Sequence, residues 1–265
     1  MTVKRYAIRD FPIGWREALR VMKLREFLEY YVYVQRCGGC GELLSDERNR
    51  EAFCSSCQLQ WTVAKTENCG ECFHPAVECT CMPKGLSASG ALCLRKLIFY
   101  RSERRAKAPN QLIYHLKRNP NRRMARMLAA EFRPAVEQEL SVLGVSNAGE
   151  KCLVVSVPRG RSARNTYGFD QAELIARAVS QETGIPYEGV IGRRWGGRVQ
   201  KKLTRDRRFR NVRHLFRLKD AEAVKGRYVL LLDDVVTTGA SMAACAHLMR
   251  EAGALGVICL CIAQD

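Results

Sequence analysis

The chain has 265 residues, a formal net charge of +17 and a hydrophobic content of 47%. That hydrophobic content is enough to bury a core, which excludes a wholly disordered chain. The charge favours polyanionic partners, either nucleic acid or phosphorylated metabolites. Charged residues interrupt the N-terminal stretch, and no run approaches the roughly eighteen apolar residues of a membrane span. We therefore expect no membrane span, no secretory signal and a cytoplasmic protein.

Three regions of different composition follow one another along the chain. Residues 1–36 include the stretch 15–34, whose apolar residues recur every three or four positions and predict a helical extension. Residues 37–85 are rich in cysteine and predict a small metal-binding module. Residues 86–265 alternate continuous apolar segments with helical patterns, which is typical of an α/β domain with a parallel sheet covered on both faces.

The elements of the third region are predicted in chain order from these patterns. Residues 92–101 form either a strand or a connection between domains. Helices are expected at 108–119, 121–144, 169–184 and from Ala240 to 254, and strands at 152–158, 228–233 and 256–262. The isolated cysteines in these segments are expected to be core residues; they are Cys152, Cys245, Cys259 and Cys261.

Clustered cysteines characterise the second region. Of thirteen cysteines in the chain, nine lie between residues 37 and 93, and without a secretory signal such pairs favour metal over disulfides. The first set is Cys37, Cys40, Cys54 and Cys57. Two Cys-x-x-Cys pairs at this separation can arrange four thiolates tetrahedrally around one zinc ion. The alternative is four free thiols in a small core.

A second set of cysteines follows, and it is less regular. It consists of Cys69, Cys72, Cys79 and Cys81, and the closing Cys-x-Cys leaves His74 or Cys93 as alternatives for one ligand. Four protein ligands leave no position for water, so one or two structural zinc ions are expected rather than a catalytic one.

A buried strand, 228–232, leads directly into Asp233 and Asp234 and then into a loop of small residues before a predicted helix. In open α/β sheets, ligands bind beyond the carboxyl ends of the strands. The loop exposes backbone N–H groups at a helix N-terminus, where an anion is favoured. Carboxylates for sugar hydroxyls or magnesium beside a phosphate cradle predict a sugar-phosphate ligand.

The segment VLLLDDVVTTGAS, residues 229–241, resembles the phosphoribosyl-pyrophosphate (PRPP) motif of the type I phosphoribosyltransferases. The resemblance implies that Asp233 and Asp234 hold the ribose hydroxyls and stabilise positive charge at the anomeric carbon. It implies that magnesium binds with PRPP and stabilises the departing pyrophosphate. The residues that would surround the 5-phosphate are Thr237, Thr238, Gly239, Ala240 and Ser241.

Two further segments fit this resemblance. Arg159 and Gly160, in SVPRG, resemble the pyrophosphate loop, although an ordinary turn at a strand end is the alternative. Residues 193–217 contain eleven Lys or Arg and one Asp, and they lie where these enzymes carry a flexible hood. Lys201 and Arg205 are the first candidates there to cover pyrophosphate; a solvated basic loop is the alternative.

A four-cysteine module ahead of such a domain resembles the ComF family of competence proteins. Three blocks carry this resemblance, at 100–129, 157–176 and 200–216. The chain departs from the family where Tyr167 replaces the usual arginine of an Arg-Gly-Phe-Asn-Gln block. The resemblance implies a cytoplasmic role in DNA uptake, with single-stranded DNA and a DNA-translocase ATPase as partners.

Two other functions remain open at this point. The first is an active phosphoribosyltransferase that displaces pyrophosphate from PRPP with a base or another nitrogen acceptor. The second is a regulatory protein, in which PRPP or a nucleotide only changes the affinity for DNA or for a protein. The motif by itself favours binding over catalysis, because a fold does not define a function.

Overall fold

The computed structural model describes residues 36–44, 52–100, 108–118, 121–160, 169–194, 212 and 214–265. The predicted helix at 15–34 lies outside these residues, and so do Lys201 and Arg205. No helix in the described part of the chain combines the length and the apolar character that crossing a membrane requires.

Six strands are described, and four of them form one parallel sheet. In chain order they are β1 (Ala91–Phe99), β2 (Cys152–Ser156), β3 (Ile191–Arg193), β4 (Phe216–Leu218), β5 (Tyr228–Val236) and β6 (Gly256–Gln264). The order in the sheet is β1–β6–β5–β2, with every neighbouring pair parallel. The predicted parallel α/β sheet is therefore confirmed, and the segment that was either a strand or a connection is the edge strand β1.

Seven helices are described between and beside these strands. They are α1 (Ser55–Lys65), α2 (Lys84–Ser87), α3 (Ala108–Arg118), α4 (Arg122–Val142), α5 (Ala148–Lys151), α6 (Gln171–Thr183) and α7 (Ala240–Glu251). The side chain of Asn121 caps α4 by accepting hydrogen bonds from the N–H groups of Arg123 and Met124. Gly184 ends α6 in the left-handed conformation that glycine adopts readily.

Both faces of the sheet are buried, because strand residues alternate between two layers. Leu230 and Leu232 of β5 belong to the core that α4 and α6 cover. Val229 and Leu231 belong to the opposite core, which α7 covers. The four isolated cysteines are fully buried, as predicted for core residues.

Residues of the cysteine-rich region share these cores. Phe53 and Trp61 are completely buried, their ring centroids lie 5.7 Å apart, and both belong to the same core as Leu112 of α3. Leu86 of α2 is also completely buried and lies in the core beneath α7. The cysteine-rich segment is thus packed against both layers of the α/β region.

Two features of the strands differ from the sequence-based expectation. β5 continues past Asp234 to Val236, because Val235 and Val236 pair with Ala263 and Gln264 of β6. The two aspartates therefore lie in the last part of the strand instead of after it. The antiparallel pair β3–β4 was not predicted, and it joins the two ends of the basic stretch.

Candidate functional site

The carboxyl edge of the sheet brings the predicted acidic and basic residues together. Ser156, the last residue of β2, pairs with Leu232 of β5, so the loop after β2 begins beside the two aspartates of β5. Arg159 follows β2 and Asp234 lies near the end of β5. Their side chains meet, with Arg159 Nη2 3.2 Å from Asp234 Oδ2.

Asp234 is held by several donors. Its Oδ2 accepts hydrogen bonds from the guanidinium of Arg159 and from the side-chain amide of Gln171, and its Oδ1 accepts one from the N–H of Val235 at 2.7 Å. The N–H of Asp234 donates to Asp233 Oδ1 at 2.8 Å. Because ionised acceptors make the stronger hydrogen bonds, this network orients the Asp234 carboxylate.

Asp170 links the loop after β2 to the start of α6. One of its carboxylate oxygens accepts a hydrogen bond from the N–H of Arg159 at 2.9 Å, and the other caps α6 by accepting from the N–H of Ala172 at 3.2 Å. The residue that positions the backbone of Arg159 therefore also places Gln171, the first residue of α6, beside Asp234. Asp170 is buried, with 7% of its surface exposed.

Asp233 lies in a strongly perturbed environment. Burial raises the pKa of its carboxyl well above the usual range, and the negative charges of Asp234 and Asp170 raise it further. A magnesium ion or other positive charge at this edge would offset those effects, since carboxylates are its preferred ligands. The donor set of Asp233 and Asp234 thus fits a hard divalent cation.

The loop after β5 turns into α7 through Gly239. This residue has a φ of +71°, a conformation that side chains disfavour, and a Cβ there would lie 3.3 Å from Pro83 Cγ. Gly239 is the N-cap residue of α7 and carries no side chain to cap the first N–H groups of the helix. These groups, with the partly exposed Thr238 and Ser241, form a cradle suited to an anion.

Arg193, the first residue of the basic stretch, adds positive charge near Gly160. The guanidinium carbon of Arg193 lies 3.6 Å from the position that a Cβ on Gly160 would occupy, and 5.5 Å from the ring centroid of Phe216. Burial lowers the pKa of Arg193 below that of an exposed arginine. Arg193 was not predicted from the sequence, because the candidates named from it, Lys201 and Arg205, lie in the middle of the stretch.

The first cysteine set forms a compact cluster. Its four sulfur atoms lie within 4.8 Å of one another, and those of Cys40 and Cys54 are 3.8 Å apart. A tetrahedral site with Zn–S bonds of about 2.3 Å has edges of about 3.8 Å, so the cluster fits a zinc ion. The sulfur of Cys37 accepts hydrogen bonds from the N–H groups of Gly39 and Cys54.

The environment of Cys37 favours the thiolate that a metal requires. Burial by itself would raise its pKa, but backbone N–H groups of Cys54, Cys40 and Gly39 outweigh burial and lower the pKa to about 7. For Cys40, burial and the neighbouring sulfurs raise the pKa to about 11. A metal ion would remove this mutual repulsion among thiolates.

The second cysteine set is also gathered into one cluster, again with all four sulfurs within 4.8 Å of one another. Neither of the two alternative ligands belongs to it. His74 is exposed and lies 3.7 Å from Glu78, while Cys93 is buried in the core beside the sheet. The four cysteines named from spacing are therefore the set that could hold a metal ion.

A buried lysine lies against this second cluster. Lys96 of β1 is 1% exposed, and its Nζ donates to Cys79 Sγ at 3.2 Å and to the carbonyl oxygen of Cys81 at 2.6 Å. Its neighbour Arg95 pairs with Glu139 of α4 at 2.6 Å and donates to the carbonyl oxygen of Glu78. The cluster is thereby tied to the sheet and to α4. Cysteine spacing contained no signal for either residue.

Comparisons with known proteins agree with this arrangement. Residues 170–265 match the family model described as the phosphoribosyl transferase domain. Over 111 residues the chain is 33% identical to the DNA utilization protein YhgH of Escherichia coli K12. The aligned region covers 41% of this chain and 48% of that protein. The corresponding proteins of Salmonella typhimurium and Shigella flexneri are 33% and 32% identical over the same shares.

The chain spans about half the length of the curated relatives it matches. Residues 170–265, which match the family model, include α6, the Asp233–Asp234 pair and the loop that leads into α7. Together with the four-cysteine clusters ahead of the sheet, these matches support the resemblance predicted from the motifs. Residues 170–265 are therefore similar to the phosphoribosyl transferase domain, and part of the chain is similar to the DNA utilization proteins.

Proposed function

We propose that this chain binds PRPP with magnesium at the carboxyl edge of its sheet and acts in the handling of DNA during uptake or utilization. The main support is the pair Asp233 and Asp234, of which Asp234 contacts Arg159. The Gly239 turn follows this pair at the N-terminus of α7. Carboxylates for a diol, an arginine for a diphosphate and an open helix N-terminus match the parts of PRPP.

Each part of the site has a separate role in this proposal. Asp233 and Asp234 accept hydrogen bonds from the ribose hydroxyls and hold magnesium, which when bound balances the charge of the diphosphate. Arg159 and the backbone at Gly160 contact the diphosphate. Thr237, Thr238, Gly239, Ala240 and Ser241 surround the 5-phosphate. Lys201 and Arg205, which lie outside the described residues, are expected to cover the pyrophosphate.

Both cysteine clusters hold zinc in this proposal and serve a structural role. Four thiolates leave no open position for a substrate. Zinc is the divalent ion that a tetrahedral set of four thiolates favours. The first cluster consists of Cys37, Cys40, Cys54 and Cys57, and the second of Cys69, Cys72, Cys79 and Cys81.

The DNA role is supported by the charge of the chain and by the relatives. Those proteins carry the name DNA utilization protein, and a net charge of +17 favours a polyanion. Single-stranded DNA is the expected form, and a DNA-translocase ATPase in the cytoplasm is the expected partner. Eleven basic residues between 193 and 217 would supply much of the contact with phosphate.

The PRPP site is tested by thermal unfolding of the zinc-loaded chain with magnesium, in the presence and absence of PRPP. Ligand at a hundred times its Kd contributes about 2.7 kcal/mol, which raises Tm by roughly 5–10 °C. Asp234→Asn should abolish the shift. Glu222→Gln, which removes a carboxylate that is 82% exposed, should retain it. An unchanged Tm in the wild type would refute the PRPP site.

The DNA role is tested by fluorescence anisotropy of labelled single-stranded DNA at a series of salt concentrations. Contact with Z phosphates predicts a slope of about −0.7Z in a plot of log affinity against log salt concentration. Binding that is absent or independent of salt would refute it. Repeating the titration with PRPP shows whether the ligand changes the affinity for DNA, as the regulatory alternative requires.

An active phosphoribosyltransferase is the second candidate, and the match of residues 170–265 to the phosphoribosyl transferase domain supports it. Pyrophosphate release from PRPP with a panel of nucleobases tests it. Release that requires a particular base and disappears in Asp234→Asn would establish transfer. Binding of PRPP without release under any of these conditions would leave a binding protein.

A further inference from the structure

Gln171 is a buried polar residue in which only one of the two polar side-chain atoms has a hydrogen-bond partner among the described residues. Its exposed surface is 0%, and its Nε2 donates to Asp234 Oδ2. Its Oε1 is also buried and has no hydrogen-bond partner among the described residues. Buried polar groups are nearly always paired, so an acceptor left without a donor beside a candidate ligand site calls for an explanation.

The two side chains that contact Asp234 Oδ2 differ in how firmly they are placed. Arg159 reaches it from the loop after β2, through a long side chain that is 16% exposed. Gln171 reaches it from the first turn of α6, whose start is fixed by the Asp170 cap. If Arg159 binds the diphosphate instead of Asp234, Gln171 remains as a side-chain donor to that oxygen.

The chemistry of the amide suggests what Oε1 accepts. The two polar atoms of Gln171 belong to one planar group, so an acceptor at Oε1 lies next to the Asp234 oxygen that Nε2 holds. A pair of neighbouring acceptors matches two neighbouring hydroxyl groups. Arg159 and Gln171 both donate to Asp234 Oδ2, so a ligand that takes the place of Arg159 there comes next to the amide.

We propose that Gln171 is the positioning and specificity residue for the sugar: Nε2 holds Asp234, and Oε1 accepts a hydrogen bond from the 2-hydroxyl of the vicinal pair. The site thereby selects ribose phosphates over 2-deoxyribose phosphates. This inference rests on the proposed function, since it assigns a role within the same site. A purely structural amide would gain nothing from an unpaired oxygen, because that oxygen lowers the stability of the free protein.

The test compares two ligands that differ by one hydroxyl group. Calorimetric titration of the zinc-loaded chain with ribose 5-phosphate and with 2-deoxyribose 5-phosphate, in magnesium, gives the preference as a ratio of affinities. In the wild type we expect ribose 5-phosphate to bind about tenfold more tightly or better, as one hydrogen bond to a polar pocket provides. Gln171→Met, which keeps the length and volume but lacks both polar atoms, should lower this ratio of affinities, while Asp233 and Asp234 still accept from the hydroxyl groups.

Two further variants separate this role from a general effect on folding. Gln264→Met is the matched control, because the Oε1 of Gln264 is also buried and has no partner among the described residues; it should keep the wild-type preference. Gln171→Glu retains an acceptor but repels Asp234, so both affinities should fall while the preference persists. If Gln171→Met does not fold, loss of the preference in Gln171→Glu, which retains the acceptor, overturns the role of Gln171.

The outcomes distinguish this inference from the proposed function. A wild type that binds neither PRPP nor ribose 5-phosphate overturns both. A wild type that binds the two ligands equally, or a Gln171→Met variant that keeps the wild-type preference, overturns only the role of Gln171. In Gln171→Met, a lowered Tm with equal loss of both affinities would show a structural residue and would likewise overturn it.

Discussion

Replacing Gly239 with alanine tests whether the second cysteine segment supports the phosphate cradle. At a φ of +71° any side chain is strained, at a cost of about 1–2 kcal/mol. The new Cβ would also lie 3.3 and 3.4 Å from two carbon atoms of Pro83, whose ring cannot rotate away. We expect a total loss of about 2–3 kcal/mol, which lowers Tm by roughly 4–12 °C.

Gly184 provides the matched control for this change. Its φ is +72°, and a Cβ there meets nothing within 4 Å. Gly184→Ala should therefore show the conformational cost alone, and it should leave ribose 5-phosphate binding unchanged because it lies at the far end of α6. Gly239→Ala should weaken that binding about tenfold or more, since the N–H groups of the cradle move with the loop.

Thermal unfolding and calorimetric titration of the two variants decide the matter. If Gly239→Ala and Gly184→Ala lower Tm equally and Gly239→Ala keeps its affinity, then Pro83 moves aside without displacing the loop. The reasoning that connects the cysteine segment to the cradle would then be wrong.

Three other predictions follow from the site and the clusters. Because burial raises the pKa of Asp233 above its unfolded value, its contribution to stability is complete at acid pH and is lost as pH rises through the folded pKa. Asp233→Asn should thus raise Tm at pH 7 and flatten its dependence on pH; an unchanged pH profile contradicts this. Lys96→Met should lower zinc affinity at the second cluster about 10–100-fold in a chelator competition. An unaltered affinity would show that the hydrogen bond from Lys96 to Cys79 does not support metal binding. Finally, Cys81→Ser should weaken ribose 5-phosphate binding more than Cys40→Ser, because Cys81 lies two residues before Pro83, whereas equal effects would exclude a local connection.

Several features of this protein could be read from local sequence. The segment 228–241 specifies a buried strand, two carboxylates and a small-residue turn, since each depends on neighbours along the chain. The two cysteine sets were predictable for the same reason: metal-ligand spacing is a property of a short segment. Alternation of apolar strands with helices was enough to predict a parallel sheet covered on both faces.

The contacts that define the candidate site required the tertiary structure. Gln171 and Asp234 are 63 residues apart, and they meet because β2 and β5 are neighbours in the sheet, which hydrophobic patterns do not encode. The contacts of Lys96 with Cys79 and of Gly239 with Pro83 arise in the same way, from the order of strands and the packing of α2 on α7. Sequence by itself determined which residues could bind a sugar phosphate and two metal ions. Only the fold decided which side chains surround them, because those contacts join segments that the chain keeps far apart.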